Sequence, residues 1–264
     1  VLSVGRATVS GMTITAAADG SALGNPGPAG WAWYIDDDRW AAGGWSRGTN
    51  NMGELKAVLE LFREGRGVRT FSLWLAFFCC LLMVYALGSW LPKLMANAGY
   101  SLGSSLSFLL ALNFGGMAGA ILGGWLGDRF NLSKVVVGFF AVSVASISLL
   151  GFKTPMPVLY TLIFIAGATV IGTQILLYAT AAQFYGLSIR STGLGWASGI
   201  GRNGAIVGPL LGGALLGINL PLQLNFIAFA VPGVIAALAM AVFAISSKRS
   251  GTPAPVVMTA AAKA

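Results

Sequence analysis

The sequence predicts a mainly α-helical membrane protein with six membrane-spanning helices, preceded by a small N-terminal α+β fragment. Of the 264 residues, 56% are hydrophobic and only 9% are charged, whereas an average soluble domain carries roughly 25% charged residues. The charges divide the chain into two unlike parts. Seven of the eight acids lie in residues 1–64, and a single acid, Asp128, lies in residues 65–264.

The residue types that the chain lacks exclude several kinds of chemistry. There is no histidine, and the only two cysteines, Cys79 and Cys80, are neighbours in an apolar run. Histidine metal sites, Ser-His-Asp or Cys-His catalysis and imidazole proton relays are therefore excluded. Adjacent cysteines also do not frame a disulfide scaffold.

Apolar runs of bilayer length follow one another from residue 71 onward. A helix needs about 20 apolar residues to cross the hydrocarbon core. Six consecutive runs with few polar faces disfavour the alternative of soluble core helices. Breaks are predicted at polar or proline-containing pairs such as Pro92-Lys93 and Asp128-Arg129. The predicted spans are residues 71–91, 104–126, 134–151, 157–180, 191–217 and 223–246.

The basic residues predict the orientation of these spans. Cytoplasmic loops carry an excess of Lys and Arg. With both ends of the block in the cytoplasm, only Lys93 and Lys153 face outside. The bases that then face inside are Arg63, Arg66, Arg69, Arg129, Lys134, Arg190, Lys248, Arg249 and Lys263. We expect a multi-pass protein of the plasma or inner membrane with cytoplasmic termini, and the N-terminal stretch lacks a signal-peptide pattern.

Glycines recur at helical spacing in the second and fifth spans. Such ridges of small residues let helix backbones approach closely, and they allow moving helices as well as static packing. The glycines in question are Gly115, Gly119, Gly123 and Gly127, then Gly195, Gly199, Gly204, Gly208 and Gly212. Pro209 predicts a kink in the fifth helix.

A few polar residues lie at membrane depth. Arg202 lies within the fifth predicted span, where a guanidinium tends to face a cavity or a partner. Asp128, the single acid of the block, lies at a cytoplasmic helix end, so two partners remain possible. One is an anionic substrate, and the other is an acid on a helix that this chain lacks. Asn113 and Gln174 are weaker candidates for lining the same cavity.

The loop between the second and third spans carries a recognisable motif. The segment Gly124-Trp-Leu-Gly-Asp128-Arg129-Phe-Asn-Leu-Ser-Lys134 resembles the cytoplasmic loop motif of the major facilitator superfamily. The resemblance implies an inner-face gate in which the acid lies near a helix N-terminus and the arginine pairs across the loop. The chain departs from the motif at residues 131–133, where the family prefers Gly-Arg-Arg. Members have twelve helices, so the six spans resemble the C-terminal half of that fold.

A longer stretch, residues 63–248, resembles the aromatic acid:proton symporters of that superfamily. The matching segments are Ser89-Trp-Leu-Pro92, Ala182-Gln-Phe-Tyr185, Ile189-Arg-Ser-Thr-Gly-Leu-Gly-Trp196, Gly199-Ile-Gly-Arg202 and Gly208-Pro209. The resemblance implies uptake of small aromatic carboxylates, driven by a proton gradient and without a cofactor. Arg190 and Arg202 match family arginines, and the planar donor fork of Arg202 suits a carboxylate. A separate six-helix chain, which would supply the acids for proton coupling, is a candidate partner beside the lipid bilayer.

The N-terminal part has a different character. The runs Asp19-Gly-Ser-Ala-Leu-Gly-Asn-Pro-Gly-Pro-Ala-Gly-Trp-Ala-Trp33 and Thr49-Asn-Asn-Met-Gly-Glu54-Leu55 resemble the start of ribonuclease H. The resemblance implies that Asp19 and Glu54 are catalytic carboxylates that hold Mg²⁺ for cleavage of RNA–DNA hybrids. Further carboxylates of that family come from elements absent here. The two acids are therefore either remnants or part of a site that is completed elsewhere.

These observations predict a domain organisation in four parts. Residues 1–62 form a truncated ribonuclease-H-like fragment, with strands at 12–18, 31–35 and 39–45 and a helix at 52–62. Residues 63–70 form the junction, which indicates a fusion because no Pro/Gly linker separates the parts. Residues 71–248 form the six-helix block, and residues 249–264 form a cytoplasmic tail.

Overall fold

The computed structural model describes residues 4–9, 12–22, 27–36, 39–48, 58–59, 61–63, 65–186, 189–218 and 220–249. In the N-terminal part it gives the backbone course of four strands. They are β1 (Val4–Val9), β2 (Met12–Ala22), β3 (Gly27–Asp36) and β4 (Arg39–Gly48). The predicted helix 52–62 lies mostly outside the described residues.

The four strands form one antiparallel sheet in the order β1-β2-β3-β4. The strands predicted at 31–35 and 39–45 are present within β3 and β4, which pair with each other with Asp36 opposite Arg39. Strand β1 was not predicted from the sequence, and it pairs with β2 from Val4–Ala17 to Val9–Met12. The strand predicted to end at residue 18 continues to Ala22, because its far end pairs with β3.

Six helices follow the sheet. They are α1 (Gly67–Asn97), α2 (Leu102–Arg129), α3 (Leu132–Leu149), α4 (Met156–Phe184), α5 (Arg190–Gly217) and α6 (Leu222–Arg249). Side-chain caps begin two of them, since Ser101 accepts from the Ser104 N–H and Asn131 from the Lys134 N–H, both at 3.3 Å. These caps satisfy backbone donors that a helix start leaves free.

The predicted break at Pro92-Lys93 is wrong, because α1 continues through Pro92 to Asn97. A proline removes a single backbone donor, and neighbouring helices in a bundle compensate for that loss. The helix ends instead at Asn97, two residues before Gly99, whose φ is +97°. There the Tyr100 N–H donates to the Met95 carbonyl at 3.1 Å and the Gly99 N–H to the Ala96 carbonyl at 3.0 Å, which is a Schellman motif. Asp128-Arg129 likewise lies in the last turn of α2.

The helices pack in an order that differs from their order in the chain. Helix α2 packs mainly on α4, α5 on α1, and α3 on α6, while α1 also contacts α6 and α3 also contacts α4. Two buried apolar clusters fill the interior. One surrounds Phe77 and Phe140 and the other surrounds Phe108 and Phe226.

Five of the six helices in the described part of the chain are long and apolar enough to cross a membrane, namely α1, α2, α3, α4 and α6. Helix α5, predicted as the fifth span, has the length but not the mean hydropathy. Its 28 residues include Arg190, Arg202, Asn203 and a run of glycines, which lower its apolar content. Many large apolar side chains on the outside of the bundle are exposed, as expected where lipid is the solvent.

Candidate functional site

Glycines hold α2 directly against α4. A Cβ atom at Gly115 or Gly119 would overlap the carbonyl group of Phe164 or Ala168 on α4. From the other side, a Cβ at Gly172 would lie 2.9 Å from the Gly119 carbonyl carbon. We call this contact the α2–α4 seam. The predicted glycine ridge of the second span is therefore confirmed at Gly115 and Gly119. A Cβ at Gly123 would instead lie 3.0 Å from the Leu176 side chain, and one at Gly127 would lie 2.7 Å from the Leu132 side chain on α3.

A second seam joins α5 to α1. A Cβ at Gly204 would overlap the Phe78 carbonyl, and one at Gly208 would lie 2.5 Å from the Leu82 carbonyl oxygen. The predicted ridge is wrong at Gly195 and Gly199, because nothing lies within 4 Å of a Cβ placed there. Those two glycines lie on the exposed side of α5, away from this α1–α5 seam.

Arg202 lies on the open face of α5. It is the thirteenth of the 28 residues of the helix, which places it about 18 Å along the axis at 1.5 Å per residue. Gly204 of the α1–α5 seam lies two positions after Arg202, and a step of two positions turns a helix by about 200°. The seam thus directs Arg202 outward, and its side chain is exposed. Its guanidinium makes no hydrogen bond or ion pair with the residues that the structure describes.

Asn113 and Gln174 also lie two positions from a seam glycine, in this case at the α2–α4 seam. Asn113 precedes Gly115 by two residues, and Gln174 follows Gly172 by two, so both point away from the seam glycines. Asn113 is exposed and its Nδ2 donates to the Leu109 carbonyl at 2.8 Å, while Gln174 is half-buried. The structure places Asn113 on the α2–α4 pair and Arg202 on the α1–α5 pair. The structure therefore does not bring Asn113 and Arg202 into contact with each other.

Several contacts that brace α5 were not predicted from the sequence. The Tyr178 hydroxyl on α4 lies 3.1 Å from the Ser198 hydroxyl on α5. The Trp74 and Trp196 rings stack with centroids 5.9 Å apart. Asn203, the exposed neighbour of Arg202, donates to the Gly199 carbonyl at 3.0 Å. These residues carry no periodicity of their own, and only the packing of the helices reveals their roles.

Trp90 links α1 to α5 through a side-chain hydrogen bond. Its Nε1 donates to the Pro209 carbonyl at 2.8 Å, and its indole lies against Gly212. The bond lies beside the proline that was predicted to kink α5. It ties the part of α5 beyond Arg202 to α1.

We expect Trp90→Phe to lower the free energy of unfolding by about 1–2 kcal/mol, because the Pro209 carbonyl loses its indole donor and the smaller ring leaves space against Gly212. Thermal unfolding in detergent, followed by circular dichroism, measures the loss. Trp125→Phe is the matched control, since Trp125 is exposed. Equal melting temperatures for the two variants would contradict this role of Trp90.

The loop-motif residues lie at the end of the bundle where α2 stops. Gly124, Asp128 and Arg129 are exposed, and nothing lies within 4 Å of a Cβ at Gly124. The Arg129 guanidinium lies 5.5 Å from the centroid of the Trp125 ring. This contact replaces the predicted ion pair across the loop. An exposed pair gains little in water, and a ring face is a competing partner for a guanidinium.

Arg190 opens α5 and binds the preceding turn. Its Nε donates to the Tyr185 carbonyl at 3.3 Å. Tyr185 itself is fully buried, and burial raises the pKa of its phenol, with nearby Thr70 and Trp74 opposing the shift only in part. The phenol therefore stays neutral at physiological pH. Arg190 thus fixes the entry of α5, in a place different from Arg202.

Of the two candidate carboxylates in the N-terminal part, the structure describes the backbone position of one. Asp19 lies on β2 opposite Ala32 of β3, and Glu54 lies outside the described residues. Within the described parts of the chain, no group of three or more His, Cys, Asp or Glu side chains could hold a metal ion. Cys79 and Cys80 are free and buried in α1.

The fold and this site together define a class. The chain is a multi-pass membrane helical bundle in which glycine seams present polar side chains on open helix faces. The family model of the Major Facilitator Superfamily matches residues 29–202 and, in an overlapping match, residues 73–262. The chain belongs to the Major Facilitator Superfamily.

Known transporters resemble the chain in sequence. It is 46% identical over 209 residues to the benzoate transport protein of Acinetobacter baylyi, a match that covers 79% of this chain and 44% of that protein. It is 45% identical over 178 residues to the gentisate transporter of Corynebacterium glutamicum, covering 66% of this chain and 40% of that protein. The chain spans less than half the length of these relatives.

Two further similarities concern the fold and the N-terminal part. The crystal structure of the E. coli fucose:proton symporter superposes with a TM-score of 0.62 at 15% identity, covering 71% of this chain and 45% of that chain. This likeness shows the fold alone. A short segment is 62% identical over 48 residues to ribonuclease H of Tropheryma whipplei, covering 18% of this chain and 30% of that protein.

Proposed function

We propose that the chain is the substrate-binding C-terminal half of a transporter for small aromatic carboxylates. The two relatives described above transport benzoate and gentisate, according to their names. Both compounds are aromatic rings with a carboxylate. Because the chain spans less than half of either relative, transport requires a further six-helix half, and a second six-helix chain in the same membrane is one candidate source of it.

The exposed position of Arg202 on α5 carries this proposal. The α1–α5 seam forces the side chain away from the bundle, and no described residue pairs with it. A guanidinium at membrane depth requires an anion or a polar cavity. Residues 65–264 contain no acid except Asp128, which lies at the end of α2. A substrate carboxylate is therefore the natural counter-ion, and a planar donor fork binds it through two parallel hydrogen bonds.

The remaining polar residues receive roles from their positions. Asn113 and Gln174 would border the aromatic ring, whose electropositive edge makes weak C–H contacts with amide oxygens. Coupling to protons needs a titratable group in the cavity, and the other half would supply it, because the membrane helices of this chain carry no acid at mid-depth.

The inner opening of the cavity would be bordered by the loop-motif residues Gly124, Asp128 and Arg129 and by Arg190. We place the chain in the inner or plasma membrane with both termini cytoplasmic, in agreement with its basic residues.

Binding by the purified chain tests the substrate class. We expect labelled benzoate to bind to the chain in neutral detergent, and unlabelled gentisate to compete. Benzyl alcohol, which has the ring but no charge, should compete at least tenfold less well, because it cannot form a charge-assisted pair. Equal competition by benzyl alcohol and benzoate would refute a carboxylate site. Uptake by cells that express the chain alone, and together with a second half, then tests transport.

A nuclease function is the second candidate, and the short segment similar to ribonuclease H favours it. Asp19 and Glu54 would then contribute to an Mg²⁺ site for cleavage of RNA–DNA hybrids. Carboxylates from outside this chain would have to complete the site, since a two-metal mechanism needs several. Mg²⁺-dependent cleavage of a labelled hybrid by the purified chain, lost in Asp19→Asn, would support this function, and an absence of cleavage would remove it.

A further inference from the structure

A pocket lies at the end of the bundle that the basic residues predict to face outside. It has a volume of about 310 Å³ and is walled by the turn after α1, the loop between α3 and α4, and the starts of α4 and α6. This volume is at the lower end of the range of small-molecule sites, roughly 300–1,000 Å³. We call it the outer pocket. It lies beyond the helical segments that carry Asn113, Gln174 and Arg202.

The polar side of the outer pocket suits an anion. Lys153 and Thr154 line it, and the Thr154 Oγ1 atom is buried without a hydrogen-bond partner. Helix α4 begins two residues later without a side-chain cap, so its first N–H groups lack side-chain partners and carry partial positive charge. A buried hydroxyl without a partner is costly unless a ligand or water satisfies it.

The two outward lysines differ in their surroundings. The Lys93 Nζ lies 5.8 Å from the centroid of the Trp90 ring, which gives this cation a partner. Lys153 is exposed and has no ion pair or ring contact with the described residues. Lys153 is therefore the free cation of the pair, and it lies at the edge of the pocket.

The rest of the pocket is apolar and firmly held. Met95 and Leu159 line it and are 0% and 1% exposed. The Schellman motif holds the Tyr100 backbone, and an edge contact with Phe108, with the ring centroids 5.7 Å apart, holds its ring. The loop wall is also fixed, because a Cβ at Gly151 would lie 2.7 Å from the Cα of Gln223. A small anion with a flat apolar body fits this pocket, because its charge would meet the polar side and its body the apolar side.

We propose that the outer pocket binds a small aromatic carboxylate at a site separate from Arg202. The carboxylate pairs with Lys153 and accepts a hydrogen bond from the Thr154 hydroxyl, while the ring packs on Tyr100, Phe152 and Leu222, the large apolar lining residues that are not fully buried. The choice of an aromatic carboxylate rests on the proposed function. The existence of an anion site rests on the pocket alone.

Binding of labelled benzoate tests the pocket, measured in the Arg202→Gln background so that the α5 site does not contribute. In neutral detergent we expect Lys153→Gln to weaken benzoate binding about tenfold. Thr154→Val should weaken it severalfold, and Thr154→Ser should restore it, because serine keeps the hydroxyl. Lys93→Gln is the matched control and should leave binding unchanged. Circular dichroism and gel filtration verify that each variant is folded.

The outcomes separate this site from the central one. If benzoate binding survives Arg202→Gln and falls in the added Lys153→Gln, the outer pocket is supported even if Arg202 plays no part. Equal effects of Lys153→Gln and Lys93→Gln, or no binding in the Arg202→Gln background, would overturn it. Loss of benzoate binding in nanodiscs of phosphatidylglycerol but not of phosphatidylcholine would also overturn it, because the pocket would then hold a lipid headgroup with a net negative charge.

Discussion

Arg202→Gln is expected to weaken benzoate binding by the chain about 10- to 100-fold. The substitution keeps a polar side chain, although a shorter one, and removes the charge and the fork of donors. Hydrogen bonds to charged groups contribute roughly 1.5–3 kcal/mol, and a bidentate guanidinium pair lies at the strong end of this range. Binding is measured in the Lys153→Gln background, so that the outer pocket does not mask the loss.

Arg202→Lys distinguishes charge from geometry. A lysine keeps the cation but presents a single point of donation, so we expect binding between that of the parent and that of Arg202→Gln. Asn203→Ala is the matched control, because Asn203 is exposed beside Arg202 and already donates to the Gly199 carbonyl. Parent-like affinity in Arg202→Gln, in a variant that still unfolds cooperatively, would show that the α5 site does not bind the carboxylate.

The helical block could be predicted from the sequence because bilayer length and glycine spacing are properties of a single segment. The ends of the helices were harder to predict. Pro92 was predicted to end α1, but the helix tolerates it and ends at Asn97, two residues before Gly99, where the chain reversal needs a positive φ. Helix α5 was predicted as an ordinary span, but its polar face makes it the least apolar of the six.

The candidate site could be predicted from the sequence only in part. Arg202 was identifiable because a lone guanidinium within an apolar run is unusual. Its outward direction follows from Gly204, which only the contact with Phe78 reveals as a seam residue. The partnership of Tyr178 with Ser198, and that of Trp90 with Pro209, join residues 20 and 119 positions apart in sequence. Such pairs depend on which helices become neighbours, and no local pattern encodes that choice.

Gly119→Ala is expected to destabilise the bundle more than any other single methyl group added to α2. Its Cβ would overlap the Ala168 carbonyl, and a backbone atom of a packed helix cannot move aside as a flexible side chain can. Helices α2 and α4 must separate at their crossing, which also disturbs the contact between Gly119 and Gly172. Overpacking of this kind costs about 1–3 kcal/mol, occasionally more. Unfolding of the purified chain by a denaturing detergent measures the change.

The control for Gly119 lies on the same helix. Gly124 is five residues further along α2 and has nothing within 4 Å of a Cβ position, so Gly124→Ala should leave stability unchanged or slightly raised, as alanine is the better helix former. Helix α5 provides a second pair, with Gly204→Ala destabilising and Gly199→Ala neutral. The two pairs together separate the effect of backbone contact from that of helix propensity. If both seam variants unfolded like their controls, the glycines would not hold the helices together, and the outward direction of Arg202 would lose its physical cause.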